Sequence, residues 1–199
     1  MTARGKLDSS FGHGGIARLP HRGILALPDA VTVQPDGRIM VAGEEGFGQE
    51  TAPAPCGYCD FLTLGHLTPE GQPDRAFGAA GVVHTRLELA PSAGELGLAL
   101  QRDGRIVVAA GIGRADSRKR SFLLVRLSKD GALDPKLNGR GYAATDMRSA
   151  IRDDDWATAV AIAPDGRYVL AGRSARDELE GGDTSGRIQF RVALARFLP

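Results

Sequence analysis

Three times along this 199-residue chain an Asp-Gly pair separates two short apolar runs, and the runs are nearly the same each time. AVTVQPDGRIMVAG (Ala30 to Gly43) returns as LALQRDGRIVVAAG (Leu98 to Gly111) and as AVAIAPDGRYVLAG (Ala159 to Gly172). The Asp-Gly pairs stand at 36–37, 103–104 and 165–166, so the period is 67 and then 62 residues. Self-similarity at a fixed period marks stacked supersecondary units, none of which buries its apolar face alone. The turn reads Pro-Asp-Gly in the first and third units and Arg-Asp-Gly in the second; Pro fits the first central position of a type I turn, Asp the second, and Gly the left-handed bulge position that follows. The two flanking runs, here termed strands B and C, therefore form a hairpin.

Two further elements recur in the same phase. GKLDSSFGHGGI begins at Gly5, GQPDRAFGAAGV at Gly71 and GALDPKLNGRGY at Gly131. DFLTLGHLTPEG ends at Gly71, SFLLVRLSKDG ends at Gly131, and QFRVALARFLP runs to Pro199. The chain divides into repeats 5–70, 71–130 and 131–199, which together make a single repeat domain over 1–199. Each repeat reads as four strands. Strand A follows the glycine pair (15–19, 81–87, 141–145), and strand D closes the unit (61–67, 122–127, 190–197). Strands B and C are nearly continuous in apolar residues, as expected of sheets covered on both faces. Gly and Pro interrupt every helical candidate before three turns are complete. The expected fold is all-β and β-propeller-like, with three four-stranded antiparallel blades forming a partial arc or half of a six-bladed ring. A sandwich of twelve strands would not explain why the same loop recurs in phase.

These residues carry a resemblance. Gly-x-Leu-Asp-x-x-Phe-Gly-x-x-Gly, then Gln-Pro-Asp-Gly-Arg-Ile-x-Val-Ala-Gly, then Phe-x-Leu-x-Arg-Leu resembles the bacterial delta-sixty repeat family. The second repeat matches closely through Asp74, Phe77, Gly78, Asp103, Gly104, Gly111, Arg126 and Leu127. The third departs at Leu137 and Asn138, where the family has Phe-Gly. The resemblance implies a β-propeller of unassigned function, in a group whose members are often long, multi-repeat exported proteins.

A site used once per molecule is seldom built three times, so chemistry is sought in what the repeats do not share. Strand parity puts the invariant B–C hairpins and D–A connections on one face and the long, dissimilar A–B and C–D loops on the other. Variable loops on a rigid scaffold are where binding usually resides. On that face stand Asp153, Asp154 and Trp156, an acidic cluster beside the only Trp of the chain. They are candidate ligand-face residues for a cation or a sugar, set against a reading as solvated loop with Trp156 anchoring strand B. Cys56 and Cys59 form a Cys-x-x-Cys in the first C–D loop, read as a local disulfide or two free thiols. A zinc site would need a second pair, and a redox Cys-x-x-Cys a helix N-terminus. Asp8, Asp74 and Asp134 recur in register and read as turn caps rather than calcium ligands.

Lys+Arg is 25 against Asp+Glu 24, a net charge of +1, which argues against a dedicated nucleic-acid partner. No stretch has the roughly 18 uninterrupted apolar residues of a membrane span. Met1 to Phe11 lacks the apolar core of a signal peptide. The sequence thus suggests a cytoplasmic protein, whereas the resemblance suggests an extracytoplasmic one. No catalytic motif is present, and no cofactor or metal site is expected. The lead expectation is a non-catalytic scaffold that binds a protein or glycan on the A–B/C–D face. The alternative is a metal-dependent propeller hydrolase or lactonase with a central-channel site, whose inner-strand positions would be Arg18, His84 and Ala144. An open arc would expose apolar faces and strand edges, so a homodimer or a part of a longer chain is expected.

Overall fold

A computed structural model of the chain describes residues 5–22, 25–47, 59–89, 95–113, 120–146, 155–177 and 188–199. The described residues are all-β, with eleven strands in three antiparallel sheets of four, four and three. No helix among them is long and apolar enough to cross a membrane. The chain falls into two compact units, Met1–Leu87 and Glu88–Pro199.

The first unit holds β1 (Leu25–Val33), β2 (Ile39–Phe47), β3 (Cys59–Leu67) and β4 (Val82–Glu88), paired in that order. The second holds β5 (Gly97–Leu100), β6 (Ile106–Gly113), β7 (Arg120–Leu127) and β8 (Tyr142–Thr145), again in order. It also holds a three-stranded sheet of β9 (Trp156–Ile162), β10 (Tyr168–Asp177) and β11 (Ile188–Phe197), with β11 at an edge.

The tripled hairpin forms as its residues dictate. Gln34, Gln101 and Ala163 each donate to the carbonyl of the Arg after the turn at 2.8 Å, and Gly37, Gly104 and Gly166 donate back across the turn at 2.9–3.0 Å. Those three glycines sit at φ 84°, 83° and 83°, left-handed backbone in which a side chain is strained.

The sheets are out of phase with the repeats by one strand. Each four-stranded sheet takes B, C and D from one repeat and its fourth strand, A, from the next. The reason is the short D–A connection. It folds back on itself, with His66 donating to the Gly81 carbonyl at 2.8 Å and Arg126 donating to Gly141 at 2.8 Å, so A lies beside the D that precedes it. The A–B connection is long and imposes no such neighbour. Residues 15–19, the expected first strand A, are therefore not in a strand, and Ile16 makes isolated bridges to Gly12 and His13. The third sheet has three strands because the A segment of its own repeat, as β8, completes the sheet before it.

In the second unit, Val107, Ala109, Phe122 and Leu124 of one sheet pack with Tyr168 and Leu170 of the other. All six are fully buried. Tyr168 also carries a polar link: its hydroxyl accepts from Arg126 Nη1 at 3.0 Å and donates to Gln101 Oε1 at 3.2 Å. In the first unit, Met40, Ala42, Leu62 and Leu64 are fully buried.

Gly172 shows how closely the strands approach. A Cβ there would lie 2.0 Å from the Trp156 carbonyl oxygen and 2.7 Å from Ala157 Cα, at a register shift between β10 and β9. Gly172→Ala is expected to force the backbones apart and cost about 1–3 kcal/mol. A urea titration checks this, with a lower midpoint at unchanged slope.

Candidate functional site

The B–C/D–A end of each four-stranded sheet is organised around one carboxylate. Asp74 and Asp134 first cap their own loops, accepting from the Ala76 and Lys136 N–H groups at 3.0 Å. The second oxygen of Asp134 then meets Arg105 Nε at 2.9 Å and Arg126 Nε at 3.0 Å. That of Asp74 meets His66 Nδ1 at 3.1 Å and Arg38 Nε at 3.4 Å. The hairpin arginines also pair with Asp36 and Asp103 in their own turns. Burial pushes the Asp134 carboxyl up, but the Lys136 N–H and the two guanidiniums outweigh it and hold it below the usual range. These repeated residues are consumed in holding the connections together.

The opposite end differs from sheet to sheet. In the first unit, a cavity of about 320 Å³ is walled mainly by apolar residues, including Leu19, Val41, Gly65 and Leu67. Leu19 Cδ1 sits 2.1 Å from where a Cβ on Gly65 would be, so the missing side chain is what admits it. Glu44 and Glu45, near the end of β2, lie at its polar limit and are 3% and 1% exposed. Such burial requires partners. Glu45 Oε2 lies 2.5 Å from His84 Nδ1 and accepts from Thr63 Oγ1 at 3.4 Å, while the Arg22 N–H donates to Oε1.

In the second unit, the strand ends at the variable loops meet around an aromatic ring. Trp156 is buried, with the Arg173 guanidinium carbon 3.8 Å and that of Arg120 4.5 Å from its centroid. The adjacent Asp155 is fully buried and its N–H donates to the Arg120 carbonyl at 3.2 Å. Trp156 thus fixes the start of β9, and it does so between two cations.

Asp153, Asp154 and Cys56 lie outside the described residues, as do most of the variable loops. Cys59 opens β3, and its side chain is likewise outside them. Among the described residues no group of three or more His, Cys, Asp or Glu is placed to hold a metal ion. Of the inner-strand positions, His84 is engaged with Glu45. The Glu45–His84 pair was not visible to motif reasoning. Its one sequence signal is a pair of acids after Val-Ala-Gly in the first repeat, where the second continues Gly-Ile and the third Gly-Arg.

Residues 101–136 match the family described as a domain of unknown function (DUF5122) beta-propeller. This stretch runs from the second hairpin turn through β6 and β7 to Asp134 and Lys136, so it includes the carboxylate lock. Neither the curated proteins nor the solved structures yield a match.

His66 stands where the second repeat has Arg126, and this difference has a pH signature. Desolvation pushes the His66 imidazole below its ordinary value, partly opposed by Asp74. Between the lowered folded value and about 6.5 the unfolded chain binds more protons, so this contribution to stability is present above about pH 6.5 and is lost as pH falls through the folded value. His66→Arg should pair permanently with Asp74 and remove that component. Urea midpoints measured between about pH 7.5 and 5 should fall less in the variant than in the parent.

Proposed function

We propose that the three units are delta-sixty repeats and that the protein is a non-catalytic propeller-type scaffold, binding a protein or glycan ligand on the A–B/C–D ends of its sheets. One observation carries this reading. At the hairpin end the polar groups repeat and neutralise one another, as in Asp134 with Arg105 and Arg126. At the other end each sheet has its own chemistry: Glu45 with His84 in the first, and Trp156 between Arg120 and Arg173 in the second unit. Invariant hairpins below and individual loops above are what a scaffold needs, since rigidity and specificity are then encoded in separate residues. The segment matching a propeller family of unknown function supports the architecture and leaves the ligand open.

The test is a binding screen on immobilised glycans and peptides, run beside ester and lactone turnover with and without EDTA. The expected result is saturable binding that weakens about tenfold or more when residues 48–58 or 178–187 are replaced by Gly-Ser of equal length. Asp103→Asn, at the hairpin end, should leave it unchanged. Turnover that EDTA abolishes, with silence in the binding arm, would establish the metal-dependent hydrolase instead.

A further inference from the structure

Among the described residues β11 is an edge of a three-stranded sheet, and a segment with the sequence of a D–A connection and strand A stands at residues 5–19. The two complete sheets show what that joint requires. Beside the bonds to Gly81 and Gly141, the Asp74 N–H donates to the His66 carbonyl and the Asp134 N–H to the Arg126 carbonyl, both at 2.9 Å. Asp134 then seals the joint against Arg105 and Arg126. For the third sheet the matching residues are Arg196 on β11, Arg167 after the hairpin, and Asp8 and Gly15 in the N-terminal segment.

The N-terminal loop already has the conformation of the completed joints. Ser10 donates to Asp8 Oδ1 at 3.0 Å, Phe11 to the Asp8 carbonyl at 3.1 Å and Gly15 to the Phe11 carbonyl at 2.8 Å. Each of these bonds has its counterpart around Asp74 and Asp134. What differs is exposure. Asp134 and Arg126 are both 7% exposed, whereas Asp8 and Arg196 face solvent. Among the described residues the ion pair of Arg167 is with Asp165 of its own turn, at 3.1 Å.

The flanking faces match as well. Val192 and Leu194 occupy the positions of the fully buried Phe122 and Leu124, yet are 84% and 64% exposed. In the first unit, Val31 and Val33 share a face with Val41, Gly65 and Leu67 through the β1–β2–β3 register, and are 68% and 65% exposed. The cavity opens on that same face.

We infer that a second copy of this chain completes the third sheet: residues 5–19 of each copy pair with β11 of the other. The register of the second sheet, in which Val125 faces Tyr142 and Leu127 bridges Leu133, places Ile16 opposite Ala195 and Leu7 opposite Phe197. Asp8 then takes Arg167 and Arg196 as Asp134 takes Arg105 and Arg126. Val192 and Leu194 cover the apolar part of the first sheet's cavity, and the variable-loop ends stay open. A second copy is the occupant because the other half of the joint, the pre-formed Asp8 loop with Ile16 beyond it, is carried by this same chain, exposed and opposite in charge to Arg167 and Arg196. Two-fold symmetry makes both joints at once.

Sedimentation equilibrium of the full chain at micromolar concentration should show twice the 21.0 kDa chain mass. Asp8→Arg, which places like charges at both joints, should weaken association about tenfold or more. Arg196→Asp should do the same. Mixed in equal amounts, the two variants restore opposite charges at both joints and should recover the dimer. A monomeric parent, or a dimer indifferent to both reversals, would overturn the inference. So would two singly weakened variants that fail to complement on mixing while each keeps the parent's circular-dichroism spectrum.

Discussion

The two complete sheets depend on one kind of contact, a carboxylate in the D–A connection gripped from two sides. Asp134 reaches the hairpin through Arg105 and strand D through Arg126, while its other oxygen holds its own loop at Lys136. With Arg126 almost fully enclosed, loss of Asp134 would take the carboxylate from a buried charge, which costs about 3–5 kcal/mol. Arg126 extends the linkage to Tyr168 in the neighbouring sheet of the same unit, and Tyr168 to Gln101. The polar network thus fixes the same register that the apolar cluster fills.

Because the lock joins the D strand of one repeat to the A strand of the next, no repeat is a sheet by itself. The second repeat supplies the first sheet with both its fourth strand, β4, and its carboxylate, Asp74, as the third supplies β8 and Asp134 to the second sheet. Stability in such an array resides in the junctions between units as much as within them. The third sheet shows the same logic from the other side: its hairpin and D strand are formed, β11 lies at an edge, and its Val192 and Leu194 are exposed.

The two ends of the sheets also differ in their polar chemistry. At the hairpin end, acids and arginines satisfy one another in each complete sheet. At the variable end the groups differ between the units: buried Glu44 and Glu45 near the end of β2 in the first, and buried Asp155 beside Trp156 with Arg120 and Arg173 over its ring in the second. Among the described residues the carboxylate contacts of the lock lie with the hairpin and the D–A connection, away from Glu45 and Trp156.

The sequence by itself determined the local geometry. A turn with Asp and then Gly at a left-handed position closes a hairpin wherever it occurs, and three such turns in phase with apolar runs dictate repeated antiparallel strands. Even Asn138, standing where the first two repeats have Gly12 and Gly78, is readable: it holds φ 51°, a left-handed conformation that Asn tolerates better than other side chains. The tertiary structure decided which strands became neighbours. Alternation and apolarity mark residues 81–87 as a strand but carry no record of the edge it joins, and the folded D–A connection gave that strand to the preceding repeat. It also decided that Glu45 and His84, on β2 and β4, would meet. Such pairings are set by sheet order and burial, which act between residues that no local pattern relates.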